Sequence, residues 1–219
     1  MHFIPRMSER PALRVLPRDH GGVEAQSLPS DEEIVEGIAA GNEWAADALY
    51  DRLHPIVDRA LRRVLHERTA DYDDLVQTTF ERIVRTLAER RFVGACSLST
   101  WASAIAGHVG IDALRAAMRD RRLFHRPDSE AADMIELPEP ERLERRLEAR
   151  SEVERIQRIL ARMKPEHART LVLHDVLGHE LSEIAVLMGV SVAAAQSRLV
   201  RGRKELLRRA RAHLAREAP

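Results

Sequence analysis

Residues 181–206, LSEIAVLMGVSVAAAQSRLVRGRKEL, constrain this chain more than any other stretch. Leu181, Ile184, Ala185 and Met188 recur at helical spacing, which makes one side of a short helix apolar. Gly189 supplies a helix stop, and Ser191 stands where an N-cap restarts the chain as a second helix. In that second helix Val192, Ala195, Leu199, Gly202 and Leu206 share one face, while Ser197, Arg201, Lys204 and Arg208 share the opposite one. A small residue at Ala185 lets the two helices approach closely. A bare run of cations would be read as a solvated surface helix. With the turn and the apolar face attached, the pattern is that of a helix-turn-helix whose second helix lies in a DNA major groove.

Composition enters through its distribution. The 219 residues carry 35 basic and 35 acidic side chains, so no global basicity advertises a nucleic-acid partner. The charges are segregated along the chain. Residues 196–216 hold eight Arg or Lys against one Glu, and residues 128–154 hold ten acids against four Arg. Such segregation implies regions with different partners. The single cysteine, Cys96, excludes an internal disulfide and accords with a cytoplasmic location. No apolar run approaches a membrane span and no signal-peptide pattern follows Met1, so no membrane insertion is expected. His174 and His179 lack a third ligand nearby, so neither a metal nor another cofactor is expected.

The chain divides into an all-α pair of small domains. Residues 1–29, with Pro5, Pro11, Pro17, Gly21 and Gly22 and no sustained periodicity, read as a disordered tail. A first helical domain spans 30–123. Ser30 with Asp31, Glu32 and Glu33 opens its first helix, and Pro55 is expected to kink its second. The third helix is the cleanest, with Tyr72, Leu75, Val76, Thr79, Phe80, Ile83, Val84 and Leu87 inward and Asp74, Thr78, Glu81 and Arg85 outward. A loop, FVGACSLS, leads to a fourth helix from Thr100-Trp101 to the basic run at Arg119–Arg122. Residues 124–140 form a flexible acidic, proline-bearing linker whose seventeen residues reach roughly 55 Å when extended. A second helical domain, 141–219, carries the helix-turn-helix.

Two blocks together resemble a bacterial sigma factor of the extracytoplasmic-function group. The first is DYDDLVQTTFERIVRTL (71–87) with STWASAIAGHVGIDALR (99–115). The second runs from Met163 to Leu206, above all SEIAVLMGVS and SRLVRGRKEL. Their order, joined by a short linker without a middle domain, is more specific than either block alone, and the match takes in about four-fifths of the chain. The resemblance implies a protein that binds the core of RNA polymerase and directs it to promoters. In that group the first domain docks on the polymerase clamp and melts the minus-ten element, and the second reads the minus-thirty-five element as duplex. The resemblance also implies an anti-sigma factor as a partner.

Carried onto this sequence, clamp binding falls to Asp74, Leu75, Val76, Gln77, Phe80 and Glu81. Helical phasing puts Asp74 and Glu81 outward and Leu75, Val76 and Phe80 mostly inward. Recognition of melted minus-ten DNA falls to Ser97, Ser99, Trp101 and His108. Base flipping costs a few kcal/mol of stacking that a pocket must return. Trp101 suits core packing as well as stacking on a base. Arg115, Arg119 and Arg122 are placed to hold phosphates, contacts that position DNA without specifying its sequence. His108 stands where relatives usually carry Asn. Minus-thirty-five contacts fall to Gln196, Ser197, Arg198, Val200, Arg201 and Lys204. Ala194, Ala195 and Gln196 replace a Thr-Val-Lys or Thr-Val-Arg frequent in relatives, and Glu180 replaces a capping Ser.

Two other readings compete. A free-standing helix-turn-helix repressor explains the C-terminal domain but gives residues 71–122 no task. An enzyme could pair His54 with Asp58 or His174 with Asp175 as acid and base, yet neither pair lies near a nucleophile motif or phosphate loop. The sequence is therefore read as non-enzymatic.

Overall fold

A computed structural model describes residues 28–66, 71–124 and 140–217, and the helix-only architecture anticipated from the periodicity is what those residues adopt. The helices are α1 (Asp31–Ala40), α2 (Glu43–Leu65), α3 (Tyr72–Ala88), α4 (Leu98–Phe124), α5 (Pro140–Arg162), α6 (Pro165–Leu171), α7 (Leu181–Leu187) and α8 (Val192–Glu217). A π-helical turn, Val172–Val176, continues α6. Nearly all of the predicted tail and of the predicted linker lie outside the described residues.

Local chemistry sets the helix ends. Ser30 makes the expected capping box: its hydroxyl accepts from the Glu33 N–H at 3.2 Å, and its own N–H donates to Glu33 Oε2 at 2.7 Å. α2 runs unbroken through Pro55, whose ring is on the exposed side. α4 starts two residues earlier than Thr100. The Ser97 hydroxyl accepts from the Thr100 N–H at 3.0 Å, and Asp31 Oδ2 accepts from the Leu98 N–H at 3.2 Å. Asp31 is in turn paired with Arg52 at 2.7 Å, so α1, α2 and the start of α4 are pinned together.

The first four helices bury Ile34, Leu49, Leu53, Leu61, Ile83 and Leu98 completely, and α3 turns Tyr72, Thr79, Ile83 and Leu87 into that core. Tyr72 also donates its hydroxyl to Asp58 Oδ1 at 2.8 Å. The second half packs α6, α7 and α8 around Leu171, Leu173, Ile184, Ala195 and Leu199.

The two halves share a core. Val64 of α2 and Ile111 of α4 are buried in one cluster with Ile159, Leu160, Met163 and Val172 of the second half. Ala104 of α4 is buried with Leu173 and Ile184. Gly107 lets the halves meet closely: a Cβ there would stand 2.8 Å from Leu177 Cδ1. Polar groups follow the same seam. Gln157 donates to the carbonyls of Val64 and Leu65, at 3.1 and 2.7 Å, where α2 ends and its last carbonyls lack intrahelical partners. Arg115 donates to the Met163 carbonyl, and Asp112 pairs with Arg169 at 3.5 Å and with Arg82 at 3.4 Å.

Candidate nucleic-acid and polymerase interface

The helix-turn-helix is built as its sequence dictates. The axes of α7 and α8 differ by 103°, within the usual range for such a pair. Gly189 takes φ +61°, the left-handed conformation that a non-glycine residue adopts only under strain, and the Val190 N–H closes the turn on the Ala185 carbonyl at 2.9 Å. Ser191 caps α8, accepting from the Ala194 N–H at 3.2 Å. At the start of α7 the Glu180 N–H donates to Glu183 Oε2 at 3.0 Å, so the reciprocal half of a capping box is present without the Ser of relatives.

α8 presents two unlike sides. Ala195, Leu199 and Gly202 are buried, whereas Gln196, Val200, Arg201, Lys204 and Arg208 are exposed, and Ser197 and Arg198 are half-buried. Val192, read as inward, is exposed at the helix start. Glu205 on this helix is occupied: it bonds to His167 Nδ1 at 2.8 Å and accepts from Arg209 at 2.9 Å. Burial pushes the Glu205 carboxyl up, but those two bonds outweigh it and hold the group below its ordinary value. Beside it, Arg162, Lys164, Lys204, Arg208 and Arg209 line an open cleft of about 490 Å³ with Met163 and Glu205. Arg162 and Lys164 escaped the sequence reading. They come from the junction of α5 and α6, and only folding brings that junction beside α8.

On α3, Asp74, Gln77 and Glu81 are exposed along one face, with Gln77 Nε2 donating to Glu81 Oε1 at 3.0 Å. Leu75, Val76 and Phe80 are half-buried and pack on the first core, as phasing indicated. Phe80 meets Tyr50 of α2 with ring centroids 4.9 Å apart, and Tyr50 and Val84 leave apolar surface beside the acidic face. Tyr50 carried no helical or motif signal of its own in the sequence.

The loop before α4 places Phe92 against Trp101, centroids 4.9 Å apart, with Trp101 half-buried against the first core. Ser97 is exposed but its hydroxyl is engaged, since it caps α4 and donates to Thr100 Oγ1 at 2.9 Å. Ser99 is half-buried. Arg119 is exposed, whereas Arg115 is half-buried, tied to the Met163 carbonyl and pushed below its ordinary basicity, chiefly by burial. The Arg122 side chain lies outside the described side chains. His108 turns into the seam. Its Nε2 is buried without a hydrogen-bond partner, and burial, reinforced by the Arg169 charge, lowers its pKa to about 4.

Of the two alternative acid–base pairs, His174 and Asp175 do bond, at 2.7 Å, and Arg203 also donates to Asp175. Asp58 pairs with Arg62 at 2.9 Å. The Arg203 bond, ahead of His174, holds the Asp175 carboxyl below its usual range. No group of three or more His, Cys, Asp or Glu able to hold a metal occurs among the described residues. No single helix among them is long and apolar enough to cross a membrane.

Comparison with known proteins places these elements. The family described as sigma-70 region 2 matches residues 49–120, and the family described as sigma-70 region 4 matches residues 153–206. Between them the two matches take in more than half of the chain. The chain belongs to the sigma-70 family, in its extracytoplasmic-function group. Similar proteins include the extracytoplasmic-function sigma factor SigM of Mycobacterium tuberculosis, 26% identical over 82% of this chain and 84% of that protein. They also include NccH of Alcaligenes xylosoxydans xylosoxydans, 28% identical over 80% of this chain and 92% of NccH. The solved structure of CnrH in complex with the cytosolic domain of CnrY aligns with 86% of this chain and 99% of that chain, at 23% identity and TM-score 0.48. As a sigma factor the protein binds RNA polymerase core and promoter DNA and directs promoter-specific initiation. The repressor reading is not favoured, because region 2 accounts for the helices it left without a task. Sigma factors are regulators of transcription rather than enzymes, which agrees with the non-enzymatic reading at that level.

Proposed function

We propose the following division of labour within this sigma factor. Residues 30–123 grip the polymerase clamp and open the minus-ten element, residues 141–219 read the minus-thirty-five element, and residues 124–140 tether the two. Clamp binding uses the outward edge of α3, Asp74, Gln77 and Glu81, with the half-buried Leu75, Val76 and Phe80 setting its shape and the exposed Tyr50 ring adding apolar contact. Ser97, Ser99, Trp101, His108, Arg115, Arg119 and Arg122 serve melted minus-ten DNA. Two of them, His108 and Arg115, are engaged in the seam in the packing described above. Gln196, Ser197, Arg198, Val200, Arg201 and Lys204 serve the upstream duplex. An anti-sigma factor and a cytoplasmic setting complete the reading.

One observation carries it: α8 buries Ala195 and Leu199 while leaving Arg201 and Lys204 exposed on the far side of a helix-turn-helix. A good contact of a side chain to a base edge is worth about 1–3 kcal/mol. Arg201→Ala is therefore expected to cut transcription from promoters that depend on the upstream element by about 5- to 150-fold. Promoters with an extended minus-ten region and no upstream element serve as the control. Equal output from both promoter classes would remove Arg201 from the reading surface.

Clamp binding is tested independently. Reversing two exposed charges with Asp74→Lys and Glu81→Lys converts attraction to a basic partner helix into repulsion, with no buried group disturbed. Affinity for core polymerase is expected to fall at least tenfold in a fluorescence-anisotropy titration, with the thermal midpoint of the free protein unchanged. Undiminished affinity would move the clamp contact off α3.

A further inference from the structure

Sequence phasing centres the outward face of α8 on Ser197 and Arg201, and the structure turns that face at the start of the helix. Over residues 192–200, Ser197 and Arg198 are half-buried, whereas Val192, Ala193, Gln196 and Val200 are exposed. Ala193, Gln196 and Val200 stand at i, i+3 and i+7, so they form one stripe along the helix. Arg198 is the only charge in residues 192–200, and the first exposed cation of α8 is Arg201. In a helix-turn-helix the first residues of the second helix meet the base edges. That end of α8 is therefore uncharged on its open side, and the cations follow behind it.

The amide in the middle of the stripe is unspent. Gln196 makes no hydrogen bond to another described residue. Its polar neighbours are engaged: the Ser191 hydroxyl caps α8, and Arg203 is held by Asp175. Val200 is 44% exposed, apolar surface that a methyl group seated against it would cover.

These three side chains restrict what the stripe can read. A glutamine amide offers an oxygen acceptor beside N–H donors. Adenine presents the complementary pair in the major groove, an N6–H donor beside the N7 acceptor, whereas guanine presents two acceptors and cytosine one donor. Thymine adds a methyl group, for which alanine and other apolar side chains are the matching contact. At 1.5 Å rise per residue, Ala193 and Val200 lie about 4.5 and about 6 Å along the axis from Gln196, or one to two base steps of about 3.4 Å.

We propose that Ala193, Gln196 and Val200 determine the specificity of α8. The upstream promoter element then carries an A·T pair whose adenine bonds to Gln196, with thymine methyls one to two steps away packed on Ala193 and Val200. The proposal rests on the assignment of α8 to the upstream duplex given above, and it adds Ala193 to that surface.

Transcription from promoters randomised over the upstream element tests it, with the full chain, core polymerase and transcripts counted per template. The wild-type protein is expected to favour an A·T pair over G·C at one position by about 5- to 150-fold. Gln196→Arg is expected to move the preference at that position alone to guanine, and Gln196→Ala to flatten it. Gln196 is exposed, so neither change disturbs the core. Each score is a ratio among templates, so the phosphate attraction that arginine adds to every sequence cancels. Deoxyuridine in place of thymidine at the neighbouring pairs removes only the methyl, and is expected to lower output about two- to fivefold. Val200→Ala should shrink that loss.

A preference unmoved by Gln196→Arg overturns the proposal, as does guanine already favoured by the wild-type protein at the position that variant alters. Output indifferent to the methyl removes Ala193 and Val200 from it. If Arg201→Ala changes the upstream profile and neither Gln196 variant does, this proposal alone fails. If no α8 variant changes the profile, the assignment of α8 to the upstream duplex fails with it.

Discussion

Acidification from pH 7 to pH 4.5 is expected to separate the two halves while each stays helical. In the packed state His108 titrates at about 4 against an ordinary 6.5, because burial and then the Arg169 charge disfavour the imidazolium. The groups facing it are Arg169 of α6, Arg82 of α3 and Asp112 of its own helix; Asp112 alone favours the charged ring. The packed state prefers neutral imidazole, so its stability is complete above the ordinary pKa of 6.5 and declines as pH falls from there towards 4. At 1.36 kcal/mol per unit, the loss by pH 4.5 is about 2–3 kcal/mol, enough to shift a marginal domain contact. Small-angle scattering and interdomain energy transfer should report expansion over that window, with far-UV circular dichroism unchanged. His108→Asn removes the titrating ring and should flatten the response. An identical pH profile in that variant would locate the sensitivity elsewhere, for instance among the carboxylates.

Leu173→Ala is expected to lower stability by about 2–5 kcal/mol, the usual cost of emptying a fully buried leucine site. Leu173 has no exposed surface and lies in one cluster with Ile184, Ala185 and Ala195 of the helix-turn-helix and Ala104 of the first half. For a cooperative unit of this size the thermal midpoint should drop by about 5–15 °C. Calorimetry should also show the transition broaden, since the same side chain supports both the turn and the seam. Leu207→Ala is the control: that side chain is 55% exposed, and its loss should shift the midpoint little. Equal midpoints for the two variants would mean that this cluster contributes no more than surface.

The features legible in the chain were those set by neighbours in sequence. The Ser30 box, the Gly189 stop, the Ser191 cap and the inward phase of Ala195 and Leu199 each depend on residues within about one or two turns, and all appear as expected. Ser97 shows the limit of such reading. Its hydroxyl suits a flipped base and suits a helix cap equally well, and the bonds to Thr100 in the folded chain take it for the cap. Trp101 is half-buried against the first core, beside Phe92, so its core role is realised, and whatever it offers a base is the part that remains exposed. Tyr50 and the cleft cations Arg162 and Lys164 had no periodic or motif signal, because their significance lies in partners far along the chain.

The sequence alone determined the helices, their two-block order and the family, since periodicity, caps and motif spacing are local quantities. The tertiary structure decided that the two blocks share a core across Gly107, that Gln157 completes the end of α2, and that Nε2 of the half-buried His108 is buried among charges. Those outcomes depend on shape complementarity between segments about fifty to ninety residues apart, and no window along the chain contains both sides of such a contact.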